Sequence, residues 1–250
     1  MKRFTLAAGL LVVILPLAVV YGQVNIQNIP GIGSFSLRGS DSIKVKKPDP
    51  ARIVDMIRGV QDVSLDAKEN KLYPRRAVLV DSLGVYRVTE AYDILVKLLR
   101  SEPNFHVRIA SAAALGKLGD MQAVPVLLKA CDDESVQIRL TSAFSLIRLG
   151  MANDKKVFTT LRAIAMGDGK ETWKTEDKID KSNPVAVKID SLLQKQVVQR
   201  MRYRAAEYLG IVNPSMSKPV LETLKADPDT AVSAAADKLL KSPKYNRIKK

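Results

Sequence analysis

Small and apolar residues recur along most of the chain at the spacing of one face of an α-helix. From about residue 73 to residue 240 they fall at positions i, i+3, i+4 and i+7 of short segments, which close at a glycine or at a glycine-containing turn. This period places apolar side chains in one stripe along a helix, and glycine is the commonest residue just past a helix end. The pattern therefore predicts a series of short amphipathic helices.

The helical segments repeat at a fixed distance. Residues 107–119 (VRIASAAALGKLG) align with residues 138–150 (IRLTSAFSLIRLG), with arginine on arginine and leucine on leucine, and further copies lie around Arg76, Arg202 and Val232. Each copy continues into a second apolar segment, whose positions also superpose. A repeat with the same arginine and leucine in the same phase indicates stacked helical hairpins. One set of superposed positions in the second segments is Leu95, Leu127, Phe158 and Leu221.

These residues resemble HEAT repeats, particularly the short bacterial type also seen in phycobilisome-lyase-like HEAT proteins. That pattern runs V-R-x-x-A-A-x-A-L-G-x-L-G-D before a second helix, and residues 107–129 follow it almost throughout. The resemblance covers about residues 73–240 and is weakest in the first copy, where Asp81 and Ser82 replace alanines. It implies an all-α protein, an α-solenoid of about five helical hairpins. It implies no particular activity, because proteins that share a fold can have unrelated functions.

The resemblance also gives the repeated arginine a structural role. In HEAT-like repeats an acidic residue six positions earlier, in the turn between repeats, tends to pair with this arginine. Binding of a ligand is the alternative role. The fourth copy has Gln196 at the acidic position, which leaves the pairing of its arginine open. Two acids have the expected spacing: Glu102 before Arg108 and Asp133 before Arg139.

The first 22 residues have the composition of a secretory signal peptide. Lys2 and Arg3 precede an apolar run over residues 6–20, and cleavage is expected near Gly22 and Gln23. An uncleaved membrane anchor, the alternative, needs about 20 apolar residues. The sequence therefore predicts a protein that is periplasmic or secreted.

Three other segments depart from the repeat. Residues 23–48 scatter apolar side chains among Gly, Asn and Ser and are expected to form an extended arm before a solenoid over residues 49–240. Residues 166–184 interrupt the solenoid as an insertion, and residues 241–250 form a basic tail. Such a tail is usually solvated and frayed.

The insertion is followed by a long helical pattern. It contains Trp173, the only tryptophan, which makes it a candidate partner contact; a tolerated surface insertion is the alternative. Asn183 and Pro184 then have the residue types of a helix cap and a first helical position. No Gly or Pro interrupts residues 185–209, so a lengthened first helix is expected to project from the stack.

Composition narrows the classes of function. Forty Lys and Arg against 26 Asp and Glu give a net charge of +14, and 46% apolar residues suffice for an aliphatic core. One cysteine, Cys131, and one histidine, His106, cannot form a Cys/His zinc site and make a histidine-dependent nucleophile hard to assemble. No phosphate-binding glycine loop or H-E-x-x-H motif occurs. We therefore expect no enzyme, cofactor or metal, and no nucleic acid partner, because the basic residues are not interleaved with stacking aromatics.

One candidate binding surface lies on the first helices. Ile109, Leu140 and Tyr203 directly follow the repeated arginine, and Phe144 is one turn beyond Leu140. The HEAT pattern usually makes these positions polar, so here they predict an exposed apolar stripe. The arm or a protein partner would cover such a patch. A helical-wheel accident in a mis-phased repeat is the third interpretation.

A second candidate is the surface of the second helices near Lys97 and Lys129. Together these features predict an exported, non-enzymatic scaffold or adaptor that binds another extracytoplasmic protein. One alternative is an enzyme accessory or lyase-like protein that handles a chromophore. Another is a module that contacts the anionic envelope surface through the basic tail.

Overall fold

The computed structural model describes residues 47–67, 74–167 and 182–246. The signal peptide, nearly all of the arm, and Trp173 with most of the insertion lie outside these residues. No β-strand occurs within the described ranges. The helices there are α1 Pro50–Gln61, α2 Ser64–Ala67, α3 Arg75–Val85, α4 Tyr92–Ser101, α5 Phe105–Leu118, α6 Val124–Ala130, α7 Val136–Arg148, α8 Lys155–Met166, α9 Pro184–Leu209, α10 Pro214–Leu224, α11 Thr230–Leu240 and α12 Pro243–Asn246.

The helices form five hairpins. First helices α3, α5, α7, α9 and α11 alternate with second helices α4, α6, α8, α10 and α12. Successive first helices pack side by side, most closely from α3 to α7, and the second helices α4, α6, α8 and α10 each pack on the first helix of the next repeat. The predicted all-α solenoid is confirmed. Within the described residues, we find no helix with both the length and the apolar content needed to cross a bilayer.

The repeated leucine is the centre of the core in each of the first four hairpins. Its side chain points between neighbouring helices and has no solvent exposure. A fully buried leucine contributes about 1.5–3 kcal/mol of hydrophobic free energy, so this position anchors every repeat. The four leucines are Leu83, Leu115, Leu146 and Leu209.

The glycine after that leucine lets neighbouring first helices approach. A Cβ on Gly84 would lie 2.6 Å from the Ala114 Cα, and one on Gly116 would lie 2.5 Å from the Ser145 Cβ. Both distances are too short for a side chain to be added without movement of the helices. The third copy has Ile147 at this position, and the packing of α7 on α9 is correspondingly sparser.

Polar side chains cap the helix N-termini. In six helices an Asn or Asp side chain accepts hydrogen bonds from backbone N–H groups of the first turn, which would otherwise lack partners. The predicted cap at Asn183 is among them, and the lengthened helix after it is confirmed as α9. None of the described side chains over residues 184–200 is buried, and Met201 is the first described side chain of α9 that is buried. The capping residues are Asp49, Asn104, Asp154, Asn183, Asn213 and Asp229.

The chain folds back after residue 241, so the prediction of a frayed basic tail is wrong as far as Asn246. Tyr245 is 1% exposed, and its hydroxyl shares a 2.9 Å hydrogen bond with the Ser217 hydroxyl. Lys244 Nζ donates to the backbone oxygens of Gly210 and Val212 at 2.9 and 2.8 Å. The aromatic ring and these bonds hold α12 on the preceding repeat. Residues 247–250 lie outside the described residues.

Candidate protein-binding surface

The repeated arginines are engaged inside the solenoid, but with different acids from those expected. Arg76 pairs with Glu102 at 2.6 Å, and Arg108 pairs with Asp133 at 2.7 Å. Each acid lies just after the second helix of the same repeat, and not six residues before the arginine that it binds. The predicted pairs of Glu102 with Arg108 and of Asp133 with Arg139 are therefore wrong, because both acids serve the preceding repeat.

The same connection occurs in the fourth hairpin, which has Gln196 in place of an acid six residues before its arginine. Arg202 forms an ion pair with Asp227, 25 residues later, and its Nε donates to the Ala165 backbone oxygen at 3.1 Å. In the first hairpin, Arg76 Nε likewise donates to the Val60 oxygen at 2.8 Å. Arg76 and Arg202 thus each link the end of an earlier helix, α1 or α8, to the turn that follows their own hairpin. Their role is structural, as expected, and the second helices are held in register by it.

The residues proposed as an exposed apolar stripe are mostly interior. Ile109 is 3% exposed, and Leu140 and Phe144 are each 5% exposed. The Phe144 ring stacks on Tyr208 of α9 with centroids 4.4 Å apart, and burial raises the pKa of the Tyr208 hydroxyl. Tyr203 is half-buried and donates a 2.8 Å hydrogen bond to Glu207. The prediction of an exposed stripe is therefore wrong.

The physical reason is the number of neighbours around each first helix. Helix α5 packs against α3, α4 and α7, and eleven of its 14 residues are buried. Helix α7 contacts α5, α6, α8 and α9. A helix surrounded in this way needs apolar side chains over more of its circumference than a surface helix does. The apolar residues that directly follow the repeated arginine therefore lie on the buried part of the helix circumference.

The second helices present the opposite arrangement. Helices α4, α6 and α8 carry basic side chains that are exposed and that form no ion pair within the described part of the chain. Lys97 and Lys129, which sequence analysis selected, belong to this set, and three further residues were missed. Arg100 and Arg162 could have been recognised, since each is a basic residue within an apolar helical pattern, whereas Lys155 is the first residue of α8 and has no such signal. We call the five residues the basic surface: Lys97, Arg100, Lys129, Lys155 and Arg162.

A groove opens in this surface between α6 and α8. It is shallow and open to solvent, with a volume of about 580 Å³. Neighbouring second helices contact each other on either side of it, α4 with α6 and α8 with α10, whereas α6 and α8 stand further apart. The groove is lined by Leu128, Lys129, Asp154, Lys155, Lys156 and Thr159.

Two of the charged side chains in the groove already have partners within the protein. Lys156 forms an ion pair with Asp132. Asp154 caps α8, because its carboxylate accepts from the backbone N–H groups of Lys156 and Val157 at 2.7 and 3.3 Å. Lys129 and Lys155 thus leave the groove with an uncompensated positive charge.

The residues with the most reactive side-chain types lie elsewhere. Cys131 is buried, and burial raises the pKa of its thiol to about 12, which leaves little thiolate at neutral pH. His106 is half-buried beside the Phe105 ring, and burial lowers the pKa of its imidazole to about 4. Among the residues with described positions, no group of three or more His, Cys, Asp or Glu side chains is placed to hold a metal ion.

Comparison with known proteins agrees with this architecture. No curated protein matches the chain. Residues 65–148 match the family described as HEAT repeats. That range covers the first two hairpins and α7, and it includes the Arg76 and Arg108 pairs and the close contacts of Gly84 and Gly116. Residues 65–148 are therefore similar to HEAT repeats in both sequence and packing.

Proposed function

We propose that this protein is a non-enzymatic adaptor that binds another protein through the basic surface of its second helices. HEAT repeats generally mediate protein–protein interaction, and stacked hairpins create long surfaces that suit an extended partner. The observation that carries the proposal is the contrast between the two sets of helices. The repeated arginines Arg76, Arg108 and Arg202 are paired internally, whereas the five residues of the basic surface are exposed and form no ion pair within the described part of the chain.

Site-specific photo-crosslinking tests this proposal. A benzophenone amino acid is placed at Lys97 or at Arg162 in the full chain, expressed in its native cell. The matched control is Val78, which is exposed on first helix α3. We expect a discrete crosslinked protein from the two second-helix positions and none from Val78. Equal adducts from all three positions, or adducts from Val78 alone, would refute binding through the second helices.

The insertion is a predicted second contact. It follows α8 directly in the chain and contains the only tryptophan, Trp173. If it belongs to the binding surface, Trp173→Ala reduces the crosslinked fraction at Arg162 while the helical circular-dichroism signal stays unchanged. An unaltered fraction would remove the insertion from the proposal.

We also propose that the adaptor acts outside the cytoplasm. Support comes from the basic start and apolar run of the first 22 residues, the pattern of a signal peptide. The expected result of N-terminal sequencing of the protein isolated from its native cell is a chain that begins at or near Gln23. A chain that begins at Met1 and fractionates with cytoplasmic proteins would contradict export.

A further inference from the structure

The groove between α6 and α8 combines an apolar wall with two free cations. Leu128 and the aliphatic stems of the lysines supply apolar surface, and the ammonium groups of Lys129 and Lys155 have no carboxylate partner among the described residues. Lysine side chains commonly lay their methylene chains along apolar surface and keep the charge in water. A ligand for this groove therefore needs carboxylates beside an apolar group.

We propose that the groove binds an acidic segment of the partner protein, with Lys129 and Lys155 each pairing with one carboxylate and Leu128 packing on an apolar side chain between them. This inference rests on the proposed function and assigns the chemistry of its partner. The two lysines come from different repeats, Lys129 from α6 and Lys155 from the first turn of α8. Recognition by both lysines therefore requires the spacing of adjacent hairpins that the internal arginine pairs maintain.

Two acidic residues favour a peptide over a densely charged polyanion or lipid surface. Asp154 lines the groove and caps α8, and Asp132 pairs with the lining residue Lys156. A continuous array of negative charges would meet these two carboxylates as well as the lysines, and like charges repel. A peptide can place its few carboxylates against the lysines alone.

The test measures binding of a short fluorescein-labelled peptide of alternating Glu and Leu to the full-length protein by fluorescence anisotropy. A peptide with Gln in place of Glu is the ligand control. The groove variant is Lys129→Glu with Lys155→Glu. The matched protein control is Lys188→Glu with Lys195→Glu on the exposed half of α9, which changes net charge equally. All four lysines are exposed, so both variants are expected to keep the helical circular-dichroism spectrum.

We expect the Glu peptide to bind in a salt-sensitive manner and the Gln peptide not to bind. The groove variant weakens binding about tenfold, since two lost charge contacts of about 0.7 kcal/mol each amount to about 1.4 kcal/mol, and the α9 control stays within about twofold. Equal weakening by both variants would assign the effect to net charge and overturn the proposal. So would unchanged binding by the groove variant, or absence of binding to the protein itself.

Vesicles with and without anionic phospholipid test the alternative that the groove binds a lipid surface instead of an acidic peptide. Loss of vesicle binding in the groove variant, with peptide binding intact, would assign the groove to a lipid surface and overturn the proposal.

The crosslinks at Lys97 and Arg162 distinguish failure of the groove proposal from failure of the proposed adaptor function. If the groove variant binds the peptide as the wild type does and the crosslinks persist, the adaptor function stands and only the binding of an acidic segment is refuted. Peptide binding at the groove without any second-helix crosslink removes the adaptor function instead.

Discussion

The pairing of Arg108 offers a direct test of how the repeats are joined, because the chain supplies two competing acids. Glu102 lies six residues before Arg108, and Asp133 lies 25 residues after it. In the structure Arg108 bonds Asp133, and Glu102 bonds Arg76. Two double-mutant cycles, one for each acid with Arg108, distinguish the alternatives.

The size of the coupling follows from the geometry. One terminal nitrogen of Arg108 lies 2.7 Å from both carboxylate oxygens of Asp133, and the two side chains are only 17% and 18% exposed. A hydrogen bond to a charged group that is shielded in this way contributes about 1.5–3 kcal/mol, against about 0.2–1 kcal/mol for a pair in open solvent. Asp133 also accepts from the Ser135 backbone N–H at 2.8 Å, so Asp133→Ala alone costs more than the pair. The cycle removes that extra cost.

Urea unfolding of the wild type, the single Ala variants and the double Ala variants measures both couplings. We expect about 1.5–3 kcal/mol between Arg108 and Asp133, and less than about 0.5 kcal/mol between Arg108 and Glu102. The slope of free energy against urea should be the same for all variants, so that the comparison concerns one unfolding transition. A coupling of Arg108 with Glu102 that equals or exceeds its coupling with Asp133 would refute the arrangement.

Three further predictions concern other contacts of the fold. Gly116→Ala should lower the free energy of unfolding by about 1–3 kcal/mol despite alanine's higher helix propensity, and Ser145→Gly should recover part of the loss in the double variant measured by urea unfolding. Tyr245→Ala should lower the same quantity by about 3–5 kcal/mol, whereas Tyr245→Phe, which loses only the hydroxyl bonds, should cost about 1–2 kcal/mol. Burial lowers the pKa of His106 from 6.5 to about 4, so the unfolded chain binds a proton that the folded chain excludes between these pH values. Stability should fall by up to about 3 kcal/mol as pH drops through this window, and His106→Gln should remove that part of the pH dependence.

Features tied to a repeating position could be predicted from the sequence. The fully buried Leu83, Leu115 and Leu146 share one phase of the repeat, so their burial follows once the hairpins are recognised. The long helix α9 could be predicted because Asn183 and Pro184 mark its start and no helix breaker follows until Gly210. In both cases the signal is local, and the tertiary fold agrees with it.

The register of the second helices was less predictable. Leu95, Leu127 and Leu221 are buried as the alignment requires, but Phe158 is half-exposed and Val157 is buried beside Thr160. The buried face of α8 still includes Val157 and Leu161 at aligned positions, and Thr160 is buried in addition where Phe158 is not. The repeat therefore predicts most buried positions of a second helix, whereas the turn before each helix adjusts which neighbouring positions join them.

The arginine partners could not be assigned from spacing, because every acid in an inter-repeat turn stands before one arginine and after another. Asp133 is six residues before Arg139 and 25 residues after Arg108. The structure shows that Asp133 faces backward to Arg108, while Arg139 donates to the backbone oxygens of Asp133 and Glu134. Sequence separation alone gives no reason to prefer the longer connection, since only the close return of the second helix makes it short in space.

The dependence on packing also explains why only two of the five residues of the basic surface could be identified from the sequence. Lys97 and Lys129 occupy equivalent positions in consecutive second helices, and a basic residue repeated on one face is visible in the sequence. Lys155 has no such counterpart, and its place opposite Lys129 depends on the separation of α6 from α8. A charge can recruit a partner only if the fold has left it unpaired. The internal pairing of Arg76, Arg108 and Arg202 thus determines which part of the surplus charge remains for binding, and that division becomes visible only when the hairpins are stacked.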